Sequence, residues 1–589
     1  MRKTKIVATL GLRSDSVEAI KKLIDAGINV ARINFSHGDY ESHGALMDRV
    51  IKAREELGAP VALMLDTKGP EIRTGALEGD KVKIRQGQEF TFTTENIIGD
   101  ETKVSVSYGQ LPDDVQVGGR ILVDDGLIEF RIVSKTSTDI MCEALNGGTL
   151  GTRKGVNVPD VYLNLPSLTE KDILDIKFGI TKGIDYVAAS FVRSAKDVAE
   201  IRGVLEQNGG RKIHIIAKIE SRDGVNNIDG ILEVADGIMV ARGDLGVEIP
   251  PEEVPLVQKL LIKKSNQAGK PVITATHMLE SMITNPRPTR AEATDVANAI
   301  FEGTDAVMLS GETAMGKYPE EAVRMMVRIA EKMENSLDYK EMLSSHKDYK
   351  ISTTNAICYS TCATAANLDA AAIATVTESG FTARMVSRFR PHCPIVAVAL
   401  NERVWRQLSL VWGCYSTFYD KPVAEVDVFK IASTQAEKGG FAKNGQSIII
   451  TAGLPVGVSG STNFIKVQVV GDVLAQGKVK VDVPELVVGR SAVVKQPERA
   501  EFKFRTDDVL IVPSVDERMM DFIRRAKALI IATDKTFDIT YAETACQALQ
   551  IPFIICDAGA LNAIPDDISI TIDCKNGHIY NGDVVNKKL

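Results

Sequence analysis

The sequence predicts an α/β protein: a (β/α)8 barrel of the TIM type with a β-barrel lid domain inserted into it and two further domains behind it. Three observations predict this. Apolar strand-like runs recur eight times, each followed by a helix-like segment. The third unit is interrupted by roughly a hundred residues of short β-rich pieces, too long for a plain loop. After about residue 336 a second alternation of strands and helices begins. The expected boundaries are 1–69 and 166–336 for the catalytic barrel, 70–165 for the lid, 337–473 for an α/β regulatory or interface domain and 474–589 for an extra C-terminal domain.

The barrel strands read as "KIVATL", "NVARINFS", "VALMLDTKG", "DYVAASFV", "HIIAKIES", "GIMVARGDLG", "PVITATHML" and "AVMLSGET". They are short, mostly apolar runs, as parallel strands covered on both faces should be. Helical patterns such as "SVEAIKKLIDAG" and "SAKDVAEIRGVLEQNGG" fall between them and end in glycine, the usual helix C-cap. After Gly69, "KVKIRQGQEFTFTT" and "GRILVDDGLIEFRIVSK" read as a small β domain, before helical periodicity resumes near Thr169. Inserted in a βα loop, it lies over the barrel mouth, where the chemistry of such a fold sits. A helix around "NAICYSTCATAANL" and the strands "AIATVT", "IVAVAL", "SIIIT" and "KVQVV" predict a largely parallel sheet in the third domain. The last segment mixes β-like pieces with "DERMMDFIRRAKALIIATD" and ends in "GHIYNGDVV".

A net charge of −8 and a pI near 5.6 leave no electrostatic footprint for nucleic acid or an anionic membrane. The opening "MRKTKIVATLG" has no apolar stretch of signal-peptide length, and no later run of about 18 apolar residues could span a bilayer. A cytoplasmic location is expected. Eight cysteines without a C-x-x-C pair predict neither disulfides nor zinc; Cys358 and Cys362, four apart on an apparent helix, read as reduced packing thiols.

In "IHIIAKIES" a lysine and a glutamate two residues apart, Lys218 and Glu220, leave an apolar strand on the same face. As an internal ion pair they would stabilise little, because desolvation offsets most of the attraction. As a site they need support, and other strand ends supply it: Arg32, Asn34 and Ser36 from strand two, Asp66 and Thr67 from strand three, Arg242, Gly243 and Asp244 from strand six, Thr276 from strand seven and Ser310 from strand eight. One Ser or Thr at a strand end often caps the next helix; a whole polar rim is not explained that way. Glu220 and Asp244 offer the hard oxygen ligands Mg²⁺ prefers and leave its other positions to substrate and water. Arg32 and Lys218 suit a transferring phosphoryl group. The rim therefore predicts Mg²⁺-assisted chemistry on a small anion.

The stretches "NVARINFSHG", "LDTKGPEIRTG", "IAKIES", "MVARGDLG", "NPRPTRAEATDVANAI" and "DAVMLSGETAMGKYP" resemble those of pyruvate kinases. The resemblance runs from the N-terminus to about residue 470, and the four-part organisation is similar to bacterial members that carry an extra C-terminal domain. It implies transfer of the phosphoryl group of phosphoenolpyruvate to ADP, giving ATP and pyruvate as the last step of glycolysis, in an allosteric homotetramer with Mg²⁺ (or Mn²⁺) and K⁺ as cofactors. By the same resemblance, Glu220 and Asp244 bind Mg²⁺, Lys218 stabilises the transferring phosphoryl and Arg32 holds its oxygens. Lys218 and Glu220 then need not be each other's partners. The substrate carboxylate rests on the Gly243 and Asp244 N–H groups and on Thr276, which belongs with Lys218, Arg32 and Ser310 to the catalytic set and is a candidate for the proton relay to the enolate. Asn34, Ser36, Asp66 and the Thr67 carbonyl match the K⁺ site, and Glu71 supports a bound K⁺, since K⁺-independent relatives carry lysine there. Asn34, Arg73 and Lys154 match nucleotide contacts; His37 follows the same loop and either approaches ADP or caps a helix.

The chain departs from the family in several places. "GLRS", with Leu12 and Arg13, replaces a Gly-Pro-Ala-Ser turn, read here as a tolerated turn, and His277 stands where a glutamine is usual. In "TESGFTARMVSRFRP", Thr377, Ser379, Gly380 and Thr382 could cradle the phosphate of an effector, but Glu378 opposes it, so a weakly bound monophosphate fits better than fructose 1,6-bisphosphate. The C-terminal segment resembles the phosphohistidine swivelling domain of phosphoenolpyruvate-utilising enzymes, with Tyr541 where the histidine belongs; a structural or assembly role follows. Two other functions compete with this one: a phosphotransferase working through phosphohistidine, against which Tyr541 and the inserted lid argue, and a silent regulatory paralogue, against which the intact rim argues.

Overall fold

The eight predicted strands are the barrel: β1 (Lys5–Thr9), β2 (Val30–Asn34), β3 (Ala62–Asp66), β4 (Tyr186–Ala189), β5 (His214–Ile219), β6 (Gly237–Ala241), β7 (Val272–Ala275) and β8 (Ala306–Leu309). They pair in parallel with sequential neighbours, and β1 closes on β8. The computed structural model describes all residues except 160, 162, 346–351, 424–426, 454–459, 461, 472, 484–485, 497–498, 536–537 and 584–589.

Alternation along each strand sorts the side chains into two cores. Val7, Val30, Met64, Tyr186, Ile216 and Met239 belong to the inner cluster, while their sequence neighbours, such as Ile6, Ala31, Leu63 and Ile215, join the cluster under the helices. The period of two then dictates that the next inward positions towards the C-terminal ends are Thr9, Arg32, Asp66, Ser190 and Lys218. The barrel floor is closed by Leu410, which joins the inner cluster, and by Arg390 on Asp305 (2.8 Å) and Arg406 on Asp185 (3.0 Å). The surrounding helices carry expected caps: Tyr40–Leu57 begins at a capping box on Asp39 and ends at Gly58 with φ 59°, and Val254–Ala268 ends at Gly269 with φ 69°.

Between β3 and β4 the lid folds as a six-stranded sheet, in the order 156–157, 120–123, 128–135, 139–144, 89–93, 103–105, with a second two-stranded sheet of 81–84 and 148–151. Its core holds Phe90, Phe92 and Phe130, whose ring centroids lie 5.1–5.3 Å apart.

The chain divides into two compact units: Met1–Ala363 with Thr375–Pro422 and Ala452–Phe464, and Thr364–Ala374 with Val423–Thr451 and Ile465–Leu589. In the first, strands Ile395–Ala399 and Cys414–Phe418 pair in parallel, as the third-domain pattern predicts. In the second, seven strands between Val473 and Asn581 close into another barrel, with 486–493, 509–512, 528–532 and 553–556 parallel and antiparallel strands completing it. Tyr541 lies there on the helix Thr540–Leu549, 52% exposed. All eight cysteines are free, buried thiols. Among the described residues no helix is long and apolar enough to cross a membrane.

Candidate active site

Asp66 is the hub of the barrel mouth. Only 1% exposed, it accepts Arg32 Nε on Oδ2 at 2.6 Å and Lys218 Nζ on Oδ1 at 3.2 Å. Arg32 also donates to Thr9 Oγ1 (2.7 Å) and Lys218 to Ser190 Oγ (2.7 Å). Burial alone would raise the Asp66 carboxyl, but the two cations outweigh it and hold it below its ordinary value. Burial likewise works against the Lys218 ammonium, and the Asp66 and Glu220 carboxylates reverse the sign, raising it.

Glu220 follows β5 and departs from expectation. Its Oε1 lies 2.9 Å from Lys218 Nζ, so the two charges do pair. Both are buried and each is the other's near counter-charge, which corrects the expectation that they need not be partners. Its Oε2 accepts the Phe191 N–H at 2.6 Å. Burial pushes the Glu220 carboxyl up to about 7 in spite of Lys218, and the nearby charge of Asp244 adds to the rise. Asp244 sits in the first turn of the helix Arg242–Glu248. No group of three or more His, Cys, Asp or Glu among the described residues is arranged to hold a metal alone. The Glu220 carboxylate, with the Asp244 charge nearby, nevertheless suits a divalent ion that takes its remaining ligands from substrate and water.

The Gly243 N–H, expected to face a substrate carboxylate, donates instead to Thr276 Oγ1 at 2.7 Å, because both lie on adjoining strand ends. Thr276 and His277 have φ of 64° and 55°, left-handed conformations uncommon for such residues and characteristic of functional sites. Arg242 holds this turn, donating to Thr276 O (2.6 Å), Ala275 O (3.1 Å) and Asp295 (2.7 Å). Among the K⁺ candidates, Asn34 Oδ1 accepts the Ser36 N–H (3.1 Å) and the Thr67 carbonyl accepts Ser190 Oγ (2.7 Å). These oxygens keep a second lone pair for a cation, whereas Asp66 already serves two. Ser310 occupies the inward position after β8, but its backbone N–H is tied to Glu312 (2.7 Å), and its hydroxyl takes no part in the bonds among Arg32, Asp66 and Lys218.

A cavity of about 650 Å³ opens between rim and lid, lined by His37, Arg73, Asp124, Lys154, Phe191 and Asp244 among others. Arg73 pairs with Glu71 (2.6 Å) and Lys154 with Asp124 (2.8 Å). The helix-cap alternative for His37 falls away, since Asp39 is the cap. Of the effector candidates, Thr377 Oγ1 accepts the Gly380 N–H (2.9 Å), Ser379 O accepts Arg384 (3.1 Å), and Thr382 Oγ1 meets Thr462 Oγ1 (2.8 Å). They gather around the start of the helix Phe381–Ser387, but both threonine hydroxyls are engaged within the protein.

The family model for the pyruvate kinase barrel domain matches residues 1–323, and that for the pyruvate kinase α/β domain matches residues 355–468. The chain belongs to the pyruvate kinase family. It is 50% identical to a pyruvate kinase of Geobacillus stearothermophilus, 49% to one of Bacillus licheniformis and 47% to one of Sporosarcina psychrophila, each alignment covering 99% of both chains. The segment beyond 468 lies outside both family models yet within these alignments, so it is common to these pyruvate kinases. Sequence reasoning missed two groups at the site: Ser190, which bonds Lys218, and the backbone N–H of Phe191, which holds Glu220. The serine ending "VAAS" was a readable signal, as the same inward position on the other strands is polar.

Proposed function

We propose that the chain transfers the phosphoryl group of phosphoenolpyruvate to ADP, giving ATP and an enolate that is protonated to pyruvate. The observation that carries this reading is the convergence of Arg32 and Lys218 on Asp66, with Glu220 and Asp244 beside them, below a cavity lined by Arg73 and Lys154. As the bond from the enol oxygen to phosphorus breaks and that to the ADP β-phosphate oxygen forms, charge spreads over the equatorial oxygens, where fixed cations act best. Lys218 and Arg32 face that charge, and the Asp66 hub keeps them in position. Glu220 and Asp244 would hold Mg²⁺ or Mn²⁺, which neutralises phosphoryl charge when bound; Asn34, Ser36, Asp66 and Thr67 would hold K⁺. Arg73, Lys154, Asn34 and His37 are assigned to the nucleotide. For the substrate carboxylate to use the Gly243 N–H, Thr276 must give up its bond, which frees its hydroxyl at the enolate face for the proton relay.

The same reading takes the boundaries 1–69/166–336, 70–165, 337–473 and 474–589 as domains, a homotetramer in the cytoplasm as the working form, and the Thr377–Thr382 segment as the seat of a phosphorylated effector. A coupled assay with phosphoenolpyruvate, ADP, Mg²⁺ and K⁺ tests the activity. Turnover is expected to depend on both cations and to fall at least about 10³-fold in Glu220→Ala. Full activity in that variant would disprove the metal assignment.

A further inference from the structure

A single loop, residues 190–193, touches everything that must move together if the lid is to respond to the contents of the site. At its start, Ser190 Oγ accepts Lys218 Nζ (2.7 Å) and donates to the Thr67 carbonyl (2.7 Å). Next, the Phe191 N–H holds Glu220 Oε2 at 2.6 Å, from a backbone with φ 55°. The outgoing stem of the lid packs on the same two residues: a Cβ added at Gly69 (φ 74°) would lie 2.9 Å from both Phe191 Cδ2 and Ser190 Cβ. The loop ends at Arg193, whose guanidinium reaches the returning stem and donates from Nη1 to Leu163 O (2.8 Å) and from Nη2 to Leu165 O (2.7 Å). Its own backbone N–H is anchored on Asp197 Oδ2 (2.8 Å), and its carbonyl accepts Asn227 Nδ2 (2.9 Å), so the fork is aimed by a fixed frame.

We infer that Arg193 is a positioning residue that couples occupancy of the Lys218–Glu220 site to the placement of the lid, and hence to nucleotide binding. The inference rests on the proposed phosphoryl transfer and adds to it a route. Redistribution of charge at Glu220 or Lys218 shifts Phe191 and Ser190, and Arg193 transmits the shift to the stem that carries the lid residues Arg73 and Lys154. Two carbonyls held by one planar fork make a hinge contact that lysine cannot reproduce, since an ammonium is a point charge without the paired geometry.

The test compares the full-length enzyme with Arg193→Lys and Arg193→Met. In wild type, Mg²⁺ with phosphoenolpyruvate but no ADP is expected to slow amide hydrogen exchange in residues 163–168. That protection should be lost in Arg193→Met and reduced in Arg193→Lys. The KM for ADP should rise about tenfold in Arg193→Met, within the usual range of coupling between sites, while kcat at saturating ADP changes less than about threefold. A merely structural arginine would lower kcat and melting temperature together and leave the KM for ADP alone. That result, or ligand-induced protection of 163–168 equal to wild type in Arg193→Met, overturns the inference. Should Arg193→Met fold poorly, Arg193→Lys decides by the same two readouts. Failure of the underlying reading looks different: wild type itself would form no pyruvate from phosphoenolpyruvate and ADP.

Discussion

Replacing Asp66 by asparagine preserves the shape of the hub and removes the charge that holds two cations. The Arg32 and Lys218 side chains are 10% and 11% exposed, so neither can turn to water without disturbing its strand. Removing one partner of a buried pair costs about 3–5 kcal/mol, because it leaves uncompensated charge behind. Lys218 would still have Glu220 at 2.9 Å, whereas Arg32 would keep only the neutral Thr9 hydroxyl, so the low end, about 3 kcal/mol, is expected. For a barrel-sized unit this lowers the melting temperature by roughly 6–12 °C. The sign with pH follows from the depressed Asp66 carboxyl: its contribution is fully present above the ordinary value of 3.8 and is lost as pH falls through the folded value. The gap between wild type and Asp66→Asn, measured by scanning calorimetry, should narrow below pH 4. Activity towards phosphoenolpyruvate should fall about 10²-fold or more as Arg32 loses its orientation. A variant melting within 2 °C of wild type, with unaltered kcat/KM, would refute the hub.

Three further outcomes follow from other sites. Burial pushes the half-buried His214 down to about 4; between there and 6.5 the unfolded chain binds the extra proton, so stability rises with pH across that window by at most about 3 kcal/mol and is lost on acidification, and His214→Gln should flatten the acid limb of a Tm–pH curve. Lys5, bonded to Cys414 O at the barrel floor, is lowered by burial to about 8. The unfolded chain then holds the extra proton between about 8 and 10.5, stability rises with pH there, and Lys5→Met should abolish that rise in denaturation midpoints. Thr276→Gly relieves a β-branched residue at φ 64°, so the barrel should gain about 1 kcal/mol against denaturant while turnover drops, because the hydroxyl assigned to the proton relay is gone.

The barrel was legible because its strands are covered on both faces and therefore short and apolar, and because period-two alternation converts a strand's last inward residues directly into site residues. Lys218 is legible by that rule, and Arg32 and Asp66 as polar residues at the ends of apolar strands. Ser190 obeys the same rule on β4. Phe191 could not have been read: its contribution is a backbone N–H, which every residue but proline has, and a positive φ that nothing in a phenylalanine announces. Who partners whom was likewise hidden. Sequence gives charges and faces, but the pairing of Lys218 with Glu220, of Gly243 with Thr276 and of Lys154 with Asp124 depends on side-chain geometry across sequence-distant elements.

Those pairings have a common form that bears on how the site works. Lys218 rests on Glu220 and Asp66, Arg73 on Glu71, Lys154 on Asp124, and Gly243 on Thr276, so these four groups assigned to anionic ligands already have protein acceptors. An unpaired buried cation would be costly, and the acceptors of Lys218, the buried one among them, remove that cost. A phosphate or carboxylate then enters by exchange, competing with one protein oxygen at each position. The net gain per contact is small, but a ligand that satisfies all positions at once draws on each exchange, whereas one that satisfies only some leaves displaced carboxylates facing one another. The arrangement therefore favours the complete pair of anionic substrates with their cations over any single phosphate, and it does so through groups that share a wall with the loop gripping both lid stems.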